Sequence, residues 1–209
     1  MPNSLIPLDS DNFPWSPHVN SLLQNTFGIE SFRGHQKSII NATLQGDDVF
    51  VIMRTGGGKS LTYQLPALLE GRYPQQGQPA KVTFVVSPLL SLIHDQEDQM
   101  NQYFCRNSAT SFSSAIKQDE VAQRWARVRD PTAGVCLVFV TPEKVHQSGK
   151  FRSELEKLQL QGRLGRFVID ECHCACQWGE SSKCVVCVLY FLHIVFRLTP
   201  FLFSYCCDT

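Results

Sequence analysis

Short, nearly continuous apolar runs alternate along this chain with longer segments whose apolar positions recur every three or four residues. The runs are DVFVIM (48–53), KVTFVVS (81–87), VCLVFVT (135–141) and RFVIDE (166–171). Their density in Val, Ile and Phe predicts strands buried on both faces of a parallel sheet. Helical spacing appears between them, at 59–70, 89–103, 117–128 and 151–161. Such alternation predicts an α/β domain, a parallel sheet with helices on both faces joined by right-handed crossovers. Ahead of it, residues 1–20 read as an irregular arm broken by Pro14 and Pro17. Leu22, Leu23 and Phe27 then share one helical face up to Gly28, and a second helix is predicted from Gly34 to Leu44, with Gly46 as its stop. The stretch GRYPQQGQPAK (71–81) is a polar loop.

The pattern breaks after Gly179. The run CVVCVLYFLHIVFRLTPFLFSYCC (184–207) has neither strand alternation nor a charged helical face. Val185 to Cys207 matches the roughly 20 residues that span a bilayer, but Arg197 and Pro200 interrupt it, which weighs against a membrane anchor. Seven of the nine cysteines lie between Cys172 and Cys207, which raises zinc. Against zinc, Cys172, Cys174 and Cys176 alternate at an expected strand end, and Cys184 and Cys187 flank two valines rather than turn residues. The remaining reading is an apolar tail (180–209) foreign to the fold that precedes it.

Composition changes this picture little. A chain of 209 residues buries a substantial core, and 19 basic against 19 acidic residues exclude a globally basic nucleic-acid binder while leaving room for a local groove. The N-terminal MPNSLIPLDSDNF lacks the basic and apolar segments of a secretory leader, so free thiols in a reducing, intracellular compartment are expected.

The strongest chemistry is RTGGGKS (54–60), directly after one predicted strand and before a helix. Glycines let backbone N–H groups close around phosphates, and the helix N-terminus favours the same anion. Thr55, Gly56, Gly57, Gly58, Lys59 and Ser60 are therefore the candidate phosphate loop, with Lys59 reaching the β- and γ-phosphates of ATP and Ser60 holding Mg²⁺. Met53 stands where the strict motif has glycine, so the match is to the shorter T-G-x-G-K-S form. RFVIDE supplies the carboxylates such a loop requires. Asp170 is the magnesium partner and Glu171 the candidate general base.

Taken in order, FGIESFRGHQ (27–36), MRTGGGKSLTYQLPAL (53–68), VVSPLLSLIHDQ (85–96), VTPEKV (140–145) and FVIDECHCACQWG (167–179) resemble the RecQ family of DNA helicases. FPWS (13–16) and GGGKSLTYQLPAL look most like its eukaryotic, Bloom-type branch. The resemblance implies a P-loop RecA-like domain over 27–179, preceded by an N-terminal helical arm over 1–26. It implies that Arg33 and Gln36 tether the nucleotide and read adenine, with Ile29 at a position where the family often stacks an aromatic ring. It implies that Ser87, Pro88 and Thr141 lie along a single-strand path, that His173 completes the catalytic Asp-Glu-x-His motif, and that Gln177 and Trp178 begin a loop sensing single-stranded DNA. Arg54 stands in place of the usual Pro and Cys172 in place of the usual Ala, and neither change removes a catalytic group.

The implied activity is ATP- and Mg²⁺-dependent 3′–5′ unwinding of single-stranded or branched DNA in a nuclear setting. The family's second motor domain and its arginine fingers have no counterpart in these residues. The chain by itself is therefore expected not to unwind DNA, unless a full-length helicase or another chain supplies that half. A non-catalytic ATP- and DNA-binding fragment that regulates a full-length helicase is the alternative.

Overall fold

Strand–helix alternation is realised as a parallel sheet between two helical layers. The computed structural model describes residues 6–54, 56–113 and 116–171, and the backbone of 201–207. Six strands, β1 (Val49–Arg54), β2 (Val82–Val86), β3 (Ala109–Phe112), β4 (Leu137–Val140), β5 (Leu164–Ile169) and β6 (Phe201–Cys207), lie in the order β1-β6-β5-β2-β4-β3. Every neighbouring pair is parallel. On one face pack α1 (Ser16–Asn25), α2 (Gln36–Gln45), α3 (Leu61–Arg72) and α4 (Leu90–Gln99). On the other lie α5 (Gln118–Arg129) and α7 (Gly149–Leu160), with the short α6 (Pro142–Gln147) just before α7.

Side-chain alternation along each strand divides the interior in two. From β2, Val82, Phe84 and Val86 enter a core with Trp125 and Phe151, whereas Val85 enters the opposite core with Ile40, Leu65 and Leu68. Aromatic rings dominate the first core, Phe112 stacking on Trp125 at 4.5 Å and Phe84 meeting Phe151 edge-on at 5.9 Å. Helix ends follow local chemistry. Gly46 takes φ +90° to close α2, as expected from the sequence, and Ser148 caps α7 by accepting the Phe151 N–H at 3.2 Å.

Several expectations are corrected. The first apolar run is buried on one face only: Val51 is in the core, but Phe50 and Ile52 are 62% and 61% exposed. Of the described helices, α5 and α7 cover β2 to β5 on that side and do not extend over β1. Helix α1 starts at Ser16, inside the segment read as irregular, because Pro17 occupies its first turn, where a missing N–H costs nothing. The helix expected over 89–103 ends at Gln99 and continues as a π-type turn, Met100–Phe104. Residues 201–207, expected to lie outside the fold, form a strand hydrogen-bonded between β1 and β5. The zinc candidates Cys172, Cys174, Cys176, Cys184 and Cys187 lie outside the described residues, as does most of the apolar run. No helix among the described residues is long and apolar enough to cross a membrane.

One buried cation ties the layers together. Arg166 in β5 is 2% exposed; its Nη1 donates to the Thr43 carbonyl of α2 at 2.8 Å and its Nη2 pairs with Glu70 near the end of α3. Glu70 also receives Lys81, just before β2, at 3.1 Å. Removing one partner of a buried pair strands the other charge in a poor solvent. Glu70→Gln is therefore expected to lower unfolding free energy by about 3 kcal/mol, read from the shift of the urea midpoint at constant slope.

Candidate nucleotide-binding site

In a parallel sheet all strands end at the same edge, so the residues that follow them share one rim. The glycine loop follows β1, Ser87 follows β2, Thr141 follows β4, and Asp170 with Glu171 follow β5. The loop's local conformation requires glycine at two positions: Gly56 at φ +72° and Gly58 at φ +81° lie in the left-handed region. Gly57 donates to the Arg54 carbonyl at 3.0 Å, closing the turn. Behind it, α3 begins at Leu61, and the N–H groups of Thr62 and Tyr63 donate back to the carbonyls of Lys59 and Ser60 at 2.9 and 3.2 Å, joining the helix start to the loop.

Gln36 braces this loop. Its side chain is 3% exposed, accepts the Arg33 N–H at 2.8 Å and donates to the Gly58 carbonyl at 3.1 Å. One N–H and one carbonyl lone pair of that amide remain for a ligand. Arg33 is exposed at the surface, and a cavity of about 440 Å³ opens between Arg33, His35, Ile39, Ile52, Met53 and Gly56.

The carboxylates face the loop across the rim. Lys59 Nζ stands 3.5 Å from Glu171 Oε1, with the two side chains 10% and 17% exposed. Asp170 is 5% exposed, and its Oδ1 accepts the N–H of Glu171 at 3.0 Å. That bond holds Glu171 at φ +52°, a conformation costing a non-glycine residue about 1 kcal/mol. Strain of this kind concentrates where a side chain must be aimed. Ser60, Asp170 and Glu171 together offer only hard oxygen donors, the chemistry Mg²⁺ selects. No three His, Cys, Asp or Glu side chains converge among the described residues, and a magnesium ion shared with substrate phosphates needs only one or two protein ligands.

Three site residues carried no role in the sequence reading. Tyr63 and Gln64, 0% and 2% exposed on α3, and Gln96 on α4 form a hydrogen-bonded group ending at Ser60 Oγ. Burial is the main force raising the Tyr63 phenol well above its ordinary value, aided by the charge of Asp170, while a hydrogen bond with Ser60 acts the other way. All three lie inside quoted motifs, LTYQLPAL and SLIHDQ, which was the available signal. Along the rim, Ser87 Oγ is buried without a hydrogen-bond partner, and Thr141 is 4% exposed at the start of α6. Pro88 is partly exposed beside Ser87. Thr55, His173, Gln177 and Trp178 lie outside the described residues.

The DEAD/DEAH box helicase family matches residues 33–192. The chain is 45% identical over 174 residues to the ATP-dependent DNA helicase Q-like 4B of Arabidopsis thaliana, covering 83% of this chain and 14% of that protein. It is 39% identical over 175 residues to the ATP-dependent DNA helicase Q1 of Pongo abelii, covering 84% of this chain and 25% of that one. The chain thus spans a quarter or less of the length of these two curated relatives. Among solved structures, the DUF1998 helicase MrfA bound to DNA and AMPPNP superposes with TM-score 0.70 at 20% identity, over 96% of this chain and 27% of that one, which establishes a shared fold.

The two left-handed glycines differ in surroundings. A Cβ at Gly56 meets nothing within 4 Å, whereas one at Gly58 would overlap the Gln36 amide nitrogen. Gly56→Ala is expected to cost about 1 kcal/mol of stability from backbone strain alone. Gly58→Ala should cost about 2–3 kcal/mol, because it also expels a buried amide from its hydrogen bond. Parallel urea titrations of the two variants make the comparison.

Proposed function

The chain belongs to the DEAD/DEAH box helicases, with RecQ-type helicases as its relatives, and from that premise we propose that residues 27–179 form the first motor domain of a RecQ-type 3′–5′ DNA helicase. In this reading the substrate is ATP with Mg²⁺, and the track is single-stranded or branched DNA in a nuclear setting. The observation that carries it is the approach of Lys59 to Glu171, at 3.5 Å, across a rim that also holds Asp170 and Ser60. Incoming β- and γ-phosphates take the ammonium from Glu171, leaving that carboxylate to orient and deprotonate the attacking water. Lys59 and the glycine-loop N–H groups then neutralise charge on the transferred phosphoryl, and Gln36 reads the base with its remaining donor and acceptor. Ser60 and Asp170 are the residues that would hold Mg²⁺, which would supply charge neutralisation at the phosphates.

Ser87, Pro88 and Thr141 are proposed to follow a DNA strand through its phosphates. The buried, unpartnered Ser87 hydroxyl supports this, because such a group gains most from an acceptor that arrives with a ligand. An arginine donated from a second motor domain is worth about 10³ to 10⁵ in rate in enzymes of this chemistry, so turnover by the chain alone is expected to be slow.

Hydrolysis of ATP, with and without single-stranded DNA, tests the reading. Turnover that rises with DNA and vanishes in Lys59→Ala is expected. A chain that binds neither ATP nor DNA would overturn it. Binding of both without turnover favours the regulatory-fragment alternative. Glu171→Gln should separate binding from chemistry: it removes the carboxylate that competes for Lys59. ATP affinity is therefore expected to rise about fivefold by fluorescence titration while hydrolysis is lost.

A further inference from the structure

Ser60 is contacted from outside the phosphate loop. Gln96 sits on α4, six residues beyond Leu90 and so about 9 Å along the helix from its start. Its Oε1 accepts from Gln64 Nε2 at 2.5 Å and from the Tyr63 hydroxyl at 3.4 Å. Two donors on the carbonyl end determine which way the amide faces. Its Nε2 is thereby directed at Ser60 Oγ, 3.3 Å away. Gln64 and Tyr63 are held by near-complete burial, so the amide of Gln96 rests on a rigid support.

A serine hydroxyl has one proton and two lone pairs, and unaided it rotates freely among orientations. A donor on one lone pair confines the proton and the second lone pair to the remaining directions. A hard cation binds the serine oxygen through such a lone pair, and no charge on Gln96 is involved. Partners that fix a ligand's orientation typically contribute 10- to 100-fold in metal affinity.

We propose that Gln96 is a positioning residue for the magnesium ligand Ser60, and that it couples this ligand to the Ser87-Pro88-Leu89 segment that leads into α4. Helix α4 runs without interruption from Leu90 to Gln99, so its first turn and Gln96 move together. Ser87, whose buried hydroxyl lacks a partner, is joined to that first turn by Pro88 and Leu89. A phosphate of a nucleic acid strand settling at Ser87 constrains the short lead, Pro88 and Leu89, into the rod that carries the amide to Ser60. Strand binding and magnesium-dependent nucleotide binding are linked through one side chain, and by reciprocity each strengthens the other. The inference rests on the ATP- and DNA-binding reading of the site.

The test uses the whole chain and fluorescent ADP, titrated in EDTA and in Mg²⁺, each with and without an oligothymidine. In the wild type Mg²⁺ should tighten binding, and the oligothymidine should tighten it further. Gln96→Met keeps side-chain volume and removes all three polar contacts, to Gln64, Tyr63 and Ser60. It should leave the affinity in EDTA unchanged, reduce the Mg²⁺-dependent gain about tenfold, and abolish the effect of DNA. Equal losses in EDTA and Mg²⁺ would show a merely structural role and overturn the proposal, as would a full Mg²⁺ gain in the variant. The double variant Ser60→Ala/Gln96→Met supplies a second criterion. Its Mg²⁺ gain should match that of Ser60→Ala alone, whereas additive losses contradict the linkage. Wild type that binds no nucleotide in either condition defeats the underlying reading, a result distinct from all of these.

Discussion

The arrangement of the site depends on a single interstrand slot. β1, which ends in the glycine loop, and β5, which ends in the two carboxylates, are not neighbours; β6 lies between them and pairs with both. With strands about 4.8 Å apart, the loop and the carboxylates stand on lines about 10 Å from each other, the width of a phosphate chain with its cation. Directly adjacent strands would leave no crevice, and two intervening strands would put Lys59 out of reach of Glu171. Backbone ladders, indifferent to most side chains, set this separation, which is how a segment without clear alternation occupies the slot.

The two ends of the sheet are secured differently. At the rim, Lys59 and Glu171 form a partly exposed pair that a ligand can exchange. At the opposite end, Arg166 joins β5 to Glu70 of α3 and to the α2 backbone in a nearly dry setting. Helix α3 is thus fastened by a buried ion pair far from the nucleotide, and by the buried Tyr63 and Gln64 with their bonds to Gln96 near it. Charge pairs stand at both ends of α3, Lys59 with Glu171 just before its start and Glu70 with Arg166 near its finish, yet only the pair at the rim is open to exchange with substrate.

Much of this was legible in the sequence. β2, β4 and β5 announced themselves because both faces are covered and both must be apolar. The glycine loop, Lys59, Asp170 and Glu171 were legible because phosphate chemistry demands those groups, whereas Gln36 was reached only through the family resemblance. β3 was missed: Ala109–Phe112 reads ATSF, and buried hydroxyls such as Thr110 and Ser111 imitate a loop. β6 was missed because its pairing is a backbone property with no periodic signature. The sequence does not single out Arg166, since its partners lie 96 and 123 residues away. Nor does it single out Gln64 and Gln96, their meeting being fixed only by how α3 and α4 cross.

The exposure of Phe50 and Ile52 on β1 has a thermal consequence. Phe50 and Ile52 present two large apolar side chains side by side on a strand at the border of the described sheet. Water's reluctance to solvate such a surface grows on warming from the cold, so the adhesiveness of this face does too. The chain handled alone should stay dispersed best near ice temperature and at low concentrations of sulfate or phosphate, salts that drive apolar surfaces together.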